Sequence, residues 1–356
     1  MVIDRISAAR GCLKRVGGDL LLVTNLSNIR YLTGFTGSEA LLVLSPDDGW
    51  FLTDSRYTSQ AGAEVTGAKV AEFSNKMESL VELLQRLQPS KVAFEAAHTT
   101  VAVYQELCSK TPQIEYLPAD AEMAALRSVK DSGELEILER VAAIASQSLL
   151  ETLERVAPGM TESEAAWMLE VAMREKGAEN KSFDFIVASG ERGALPHGKA
   201  SGKRLARGEL VTFDYGAIYG GYCSDETVTV ALGEPDSRQR EVYETVLGAQ
   251  RAAMNAVRPG LSFRDLDAVA RDYIASRGFG EYFGHGLGHG VGIDIHEHPA
   301  ASPRSKNVIQ EGMVFTIEPG IYIPGWGGVR IEDTVVAEGH GCRCITKVPK
   351  DLIVLP

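Results

Sequence analysis

Two stretches of this 356-residue chain repeat one arrangement of acids. Leu210 to Gly233 reads LVTFDYGAIYGGYCSDETVTVALG, and Val314 to Gly339 reads VFTIEPGIYIPGWGGVRIEDTVVAEG. In each, an apolar strand ends in acid-x-Gly, at Asp214-Tyr215-Gly216 and Glu318-Pro319-Gly320. A tyrosine follows, Tyr219 or Tyr322, and a glycine-rich turn then leads to acid-x-Thr, at Asp225-Glu226-Thr227 and Glu332-Asp333-Thr334. One acid in a hairpin is ordinarily solvated or salt-bridged. Four acids in matching places of a duplicated unit are a different matter, because burying an unpaired charge costs several kcal/mol or more. Such a repeat implies two halves packed about a pseudo-two-fold axis, with the four carboxylates facing one another and cations among them.

Between the hairpins, Phe283 to Pro299 reads FGHGLGHGVGIDIHEHP and carries four of the seven histidines, His285, His289, His296 and His298. Imidazole is the commonest metal ligand, and glycine neighbours let backbone approach a site closely. Asp214, Asp225, Glu318 and Glu332 bring about four negative charges, which two divalent cations cancel, leaving a neutral histidine as fifth ligand and room for a bridging hydroxide. An oxygen-rich set suits manganese, cobalt or iron. Strand alternation places Asp225 with Thr227 on one face, and Arg330, Glu332 and Thr334 likewise, while Glu226, Val228 and Asp333 point the other way and are excluded as ligands. Arg330 then becomes a partner that orients a ligand carboxylate.

The ordered set Asp214, Asp225, His289, Glu318 and Glu332, with H-G-x-G-H-G around His289 and H-E-x-P at His296, resembles the metallopeptidases of the pita-bread fold, among them methionine aminopeptidase, aminopeptidase P, prolidase and the metal-free creatinase. NIRYLTGFTGS at Asn28 to Ser38 and TDSRY at Thr53 to Tyr57 are similar to the first domain of the proline-specific branch, which methionine aminopeptidases lack. The resemblance implies two divalent ions, manganese first and cobalt, zinc or iron as alternatives, bridged by Asp225 and Glu332 and completed by Asp214, His289 and Glu318. It implies that Glu318 relays the proton and that His296 donates to the substrate carbonyl. His197, in L-P-H-G seventeen residues before Asp214, and His285 would line the pocket and hold substrate, with Arg330 beside them. His298 matches no functional position, and His98 and His340 read as surface residues. Two departures stand out. Glu226 and Val228 replace the usual pattern between the acid and the threonines, which leaves Glu226 without an evident partner, and Leu287 replaces a small polar residue and is expected to narrow or dry the pocket.

The elements that must position these groups are legible in outline. In the first third, Asp19 to Asn25, Ala40 to Ser45, Gly49 to Thr53 and Lys91 to Phe94 read as strands and Met77 to Leu87 as a helix, an α/β pattern. A long helix over Glu134 to Val156 opens the second part. Thr161 and Glu164 form a capping box for a helix to about Lys176, and further helices cover Gln239 to Val257 and Phe263 to Ser276. The expected architecture is an α/β N-terminal domain of the creatinase/prolidase type over 1–125 and an α+β pita-bread catalytic domain over 126–356.

Composition sets the remaining limits. With 44% hydrophobic and 24% charged residues the chain is globular, and a net charge of -12 opposes a nucleic-acid backbone. Apolar runs are too short for a bilayer span and the first residues lack a signal-peptide core, so a cytoplasmic protein is expected. Five scattered cysteines read as reduced thiols. The resemblance, in turn, implies hydrolysis of Xaa-Pro dipeptides by a homodimer that takes a proline-containing peptide as substrate. The alternatives are an aminopeptidase P acting on longer peptides, a catalytically inactive peptide-binding module, and a metal-free creatinase-like enzyme.

Overall fold

The short apolar runs near the start of the chain build a sheet from β1 (Leu20–Val23), β2 (Leu41–Leu44), β3 (Gly49–Thr53), β4 (Lys69–Glu72), β5 (Lys91–Phe94) and β6 (Glu115–Pro118), in the order β4-β3-β2-β1-β5-β6. The computed structural model describes residues 4–356, in two compact units that divide between Arg127 and Ser128. In the first unit β1 pairs antiparallel with β2, and β2 with β3, while β1 with β5, β3 with β4 and β5 with β6 pair parallel. Every position of β1 and β2 is buried, as expected of strands covered on both faces. Helices α1 (Arg5–Val16), α2 (Leu26–Thr33), α3 (Thr58–Glu64), α4 (Lys76–Leu87), α5 (Val101–Lys110) and α6 (Asp120–Ser128) complete it. Asn75 caps α4 by accepting from the amides of Met77 and Glu78, and the helix buries Leu80, Val81, Leu83 and Leu84. The sequence pattern anticipates only α4 of these helices; α1, α2, whose cap Asn25 accepts from the amide of Ser27, α3, α5 and α6 are not anticipated.

In the second unit, α7 (Ser132–Leu153) starts two residues earlier than its apolar stripe predicts, because Asp131 caps it and Glu134 returns the bond to the Asp131 amide. The box of Thr161 and Glu164 opens α8 (Glu162–Glu175) as read. A box of Asp236 and Gln239 opens α9 (Ser237–Ala256), and Ser262 caps α10 (Phe263–Ser276). The strands are β7 (Asn180–Lys181), β8 (Ile186–Ser189), β9 (Leu210–Tyr215), β10 (Ala217–Tyr219), β11 (Tyr222–Cys223), β12 (Glu226–Leu232), β13 (Gly288–Gly290), β14 (Glu297–Ala301), β15 (Val314–Ile317), β16 (Gly320–Ile323), β17 (Gly327–Arg330), β18 (Asp333–Glu338), β19 (Gly341–Cys344) and β20 (Ile353–Leu355).

The duplicated sequence becomes a duplicated structure. One sheet runs β20-β12-β9-β8 and the other β14-β13-β15-β18-β19. In each, the two long strands of the repeat pair antiparallel, β9 with β12 and β15 with β18. A core cluster joins α7 and α8 to the first hairpin through Leu149, Leu169, Phe213 and Val228. A second joins α9 and α10 to the other hairpin through Val246, Leu266, Phe315 and Val335. The halves are stitched together where the acid-x-Thr segments meet: the Glu332 amide donates to the Thr227 carbonyl at 3.1 Å, and the Thr334 hydroxyl to the Asp225 carbonyl at 2.7 Å. Among the described residues no helix is long and apolar enough to cross a membrane, and all five cysteines are free.

Phe315 is fully buried with its ring 4.9 Å from that of Phe263. Phe315→Ala should cost about 3–5 kcal/mol in urea unfolding followed by circular dichroism. Trp167→Ala, at a site 67% exposed, should stay within about 0.5 kcal/mol of the parent.

Candidate metal centre

Strand ends deliver the acids to one place. Asp214 lies in β9, Glu318 just beyond β15, and Asp225 and Glu332 each immediately before the strand that pairs back, β12 or β18. His289 comes from β13, held between β14 and β15. That position demands glycine: a Cβ on Gly288 would stand 2.0 Å from the Thr316 carbonyl oxygen. Gly216 serves the first hairpin in the same way, with the Ser224 carbonyl oxygen 1.9 Å from where its Cβ would be. The glycine excess around the acids and histidines is therefore a packing requirement of the site.

Ligand atoms of Asp225, His289 and Glu332 all lie within 4.8 Å of one another. His289 Nε2 is 3.4 Å from Asp225 Oδ2 and 3.5 Å from Glu318 Oε1. The His289 Nδ1 lies 3.0 Å from the Gly290 carbonyl, which can only accept, so the proton sits on Nδ1 and Nε2 turns to the acids. A histidine anchored through its far nitrogen is the usual state of a metal ligand. Glu332 Oε2 accepts from the Thr227 hydroxyl at 2.6 Å, whereas its Oε1 is buried with no hydrogen-bond partner. A buried carboxylate oxygen aimed into a carboxylate–imidazole cluster fits a divalent cation, so this group of side chains can hold a metal ion.

The electrostatics state the same demand. Burial pushes the Asp225 carboxyl up to about 6, with Asp214's charge adding to it against the opposing His289. Glu318 is raised to about 7, again chiefly by burial, and Glu332 well above the ordinary carboxylate range by burial and by Asp225, Glu318 and Asp214. Burial disfavours a charge on His289, yet its hydrogen bond to Asp225 and the charges of Asp225 and Glu318 outweigh that and raise it to about 9. These acids resist carrying their full charge together unless a positive charge lies among them.

Asp214 is already paired with one, since Arg330 Nη2 donates to Asp214 Oδ2. The rest of the guanidinium is committed as well, through Nε to the Thr227 hydroxyl at 3.2 Å and through Nη1 to the Pro196 carbonyl at 3.1 Å and the Tyr322 hydroxyl at 2.9 Å. Thr227 passes this contact on to Glu332, so Arg330 reaches two carboxylates at once.

Asp214, Asp225, His289, Glu318, Glu332, His197, His285, His296 and Arg330 all line one cavity of about 600 Å³. His285 donates from Nδ1 to the Gly286 carbonyl at 2.8 Å and therefore accepts from the Tyr322 hydroxyl at Nε2, 2.9 Å away. Burial, with nearby Arg330, Arg271 and His197, lowers His285 to about 4 and keeps it neutral. The His296 ring sits edge-on to His289 at 4.4 Å, and its pKa is lowered by burial and by that neighbour. His197 is exposed at the cavity wall, and His98 and His340 are exposed elsewhere.

Two sequence expectations need correction. Leu287 does not narrow the cavity: its side chain is fully buried in the core, and its backbone amide donates to Asp267. Glu226 does have partners, in Lys350 Nζ at 2.6 Å and the hydroxyls of Ser146 and Tyr215. Sequence reasoning also missed groups that build the site. Tyr322 is matched by Tyr219 in the other repeat, a signal that could have marked it. Asp267 and Arg271, an i,i+4 pair on α10, hold the backbone of the histidine segment, with Arg271 donating to the carbonyls of Phe283 and His285. The exposed pair of Lys199 and Asp184, 2.6 Å apart in the cavity lining, had no sequence signature.

Known proteins share this architecture along its length. Residues 136–338 match metallopeptidase family M24, and residues 5–129 match the creatinase/prolidase N-terminal domain. A Xaa-Pro dipeptidase of Pyrococcus furiosus is 38% identical over 94% of this chain and 95% of its own length. The solved structure of a Xaa-Pro dipeptidase from Bacillus anthracis superposes with a TM-score of 0.95 at 41% identity, covering 99% of each chain. That of an X-Pro aminopeptidase from Thermotoga maritima gives 0.92 at 39% identity, covering 99% of this chain and all of that one. With the acids and histidine of the repeated hairpins brought together on that fold, the chain belongs to metallopeptidase family M24.

Proposed function

We propose that the protein hydrolyses the peptide bond before proline in Xaa-Pro dipeptides and that Asp214, Asp225, His289, Glu318 and Glu332 hold two divalent ions, manganese first among the candidates. The observation that carries this reading is the convergence of Asp225, His289 and Glu332, with the unpartnered Oε1 of Glu332, in the wall of a substrate-sized cavity. Relatives named Xaa-Pro dipeptidase that match nearly end to end support the substrate class. When bound, paired divalent ions polarise the scissile carbonyl and make water a competent nucleophile near neutral pH.

The chain's own residues supply the rest. Asp225 and Glu332, whose segments are stitched together across the two halves, would hold the ions together with Asp214, His289 and Glu318. Glu318, on the cavity wall beside His289, takes a proton from the attacking water and returns it to the proline nitrogen, which as a tertiary amide nitrogen carries no hydrogen of its own. His296 is neutral and faces the same space, so its N–H is available to the developing oxyanion. His285 acts through Tyr322, fixing a hydroxyl that also rests on Arg330, and Arg330 orients Asp214 and, through Thr227, Glu332. His197 stands at the exposed wall where it can hold substrate. Phe183, Ile186, Ile295 and Ala301 give an apolar lining suited to a pyrrolidine ring.

An aminopeptidase P reading is favoured by one observation. Of the lysine and arginine side chains lining the cavity, Arg330 is committed to protein groups, which leaves Lys199, itself paired with Asp184, for the free carboxylate of a dipeptide. A longer peptide needs no such partner. A homodimer forms part of the proposal, and sedimentation of the purified protein tests it.

Chelation should abolish hydrolysis of Ala-Pro, and added manganese should restore it; full activity in metal-free protein would favour creatinase-like chemistry, and no activity with metal loaded would favour a binding module. Glu318→Gln should lower kcat on Ala-Pro by about 10²–10⁴-fold. Comparison of kcat/KM for Ala-Pro and Ala-Pro-Ala separates the two proline-specific readings, with the dipeptide expected to be the better substrate.

A further inference from the structure

Behind the cavity, on the reverse faces of the ligand-bearing strands, lies a second charged cluster that the chemistry above does not use. Lys350, in the segment between β19 and β20, places its Nζ 2.6 Å from Glu226 Oε1 and 3.3 Å from Asp333 Oδ1. The lysine side chain is 9% exposed and the two acids 1% and 7%. Glu226 also accepts from the Ser146 hydroxyl of α7 at 2.6 Å, the Tyr215 hydroxyl of β9 at 2.8 Å and the Val348 amide at 3.0 Å. Asp333 accepts from Gln250 Nε2 of α9 and from the Thr346 hydroxyl, both at 2.6 Å.

The membership of this network is its telling feature. Tyr215 follows Asp214, Glu226 follows Asp225, and Asp333 follows Glu332. Successive side chains of a strand point to opposite faces, so each of these three residues anchors the back of a strand whose front presents a candidate metal ligand. Glu226 and Asp333 are, moreover, equivalent positions of the two repeats, and one ammonium group spans both. A strand pinned on its reverse face cannot roll about its own axis, and its front-face carboxylate is held in place.

We infer that Lys350 is a positioning residue of the metal centre: by clamping Glu226 and Asp333 it fixes the spacing and roll of the two strands, β12 and β18, that begin one residue after Asp225 and Glu332, and with them the affinity for the paired ions. The inference rests on the two-metal reading proposed above. A merely structural ion pair would affect stability alone, because removing one member of a buried pair leaves charge uncompensated without moving the ligands.

Metal-stripped protein titrated with Mn(II) in a calorimeter, and with Co(II) by visible absorption, separates these cases. The parent protein should take up two ions. Glu226→Gln combined with Lys350→Met, which removes the opposite charges together, should weaken binding of at least one ion about 10–100-fold and alter the Co(II) band positions and intensities. Should the double variant not fold, Glu226→Gln alone, which keeps the side-chain shape, carries the same comparison. A folded variant with a lowered Tm but parental affinities for both ions and an unchanged Co(II) spectrum overturns the inference. A parent protein that binds no divalent ion overturns the metal reading instead, a result the titration of unmutated protein gives separately.

Discussion

Carboxylates crowded into a space with little water repel one another, and the catalytic unit is organised around keeping them there. Each acid receives a different form of relief. Asp214 has the guanidinium of Arg330, Asp225 and Glu318 share the imidazole of His289, and Glu332 has one hydroxyl bond and an oxygen left over. The relief is incomplete, as the raised proton affinities of three of the four acids attest. Positive charge placed among them resolves the conflict, and the same charge is what hydrolytic chemistry on an amide requires. Stability and reactivity thus depend on one feature of the fold.

Uncharged groups share in holding the arrangement. Threonines of the acid-x-Thr segments bond across the boundary between the halves, Thr227 to Glu332 and Thr334 to the Asp225 backbone, while Thr229 reaches the Arg330 carbonyl at 2.9 Å. Glycines admit the histidine strand between its neighbours. The alternation of side chains along β9, β12 and β18 lets one face meet the cavity and the other meet the helices, so the sheets are both wall and foundation.

Much of this could be read from sequence because the repeat is written in residue types. The acids and the histidine cluster have spacings that imply their meeting, and the structure brings all four acids together with His285, His289 and His296 to a single cavity. Helix starts were legible where a capping box was read, as at Thr161, and shifted by two residues where the box of Asp131 and Glu134 was not read. What stayed hidden depends on tertiary distance. Lys350 lies 124 residues from Glu226 and belongs to no motif, so nothing local announces their pairing. Leu287 shows the converse: a substitution two residues from a candidate ligand invites a role in the cavity, yet the backbone just before β13 turns its side chain into the core.

The contact between Thr227 and Glu332 spans 105 residues of chain. During synthesis the amino-terminal hairpin emerges from the ribosome long before its counterpart, carrying two of the acids but neither the histidine nor the other pair. At translation rates of about 5–20 residues per second, several seconds separate the two events. Any divalent ion held by side chains of both hairpins is therefore acquired only after Glu332 has been made, not when its first ligands appear.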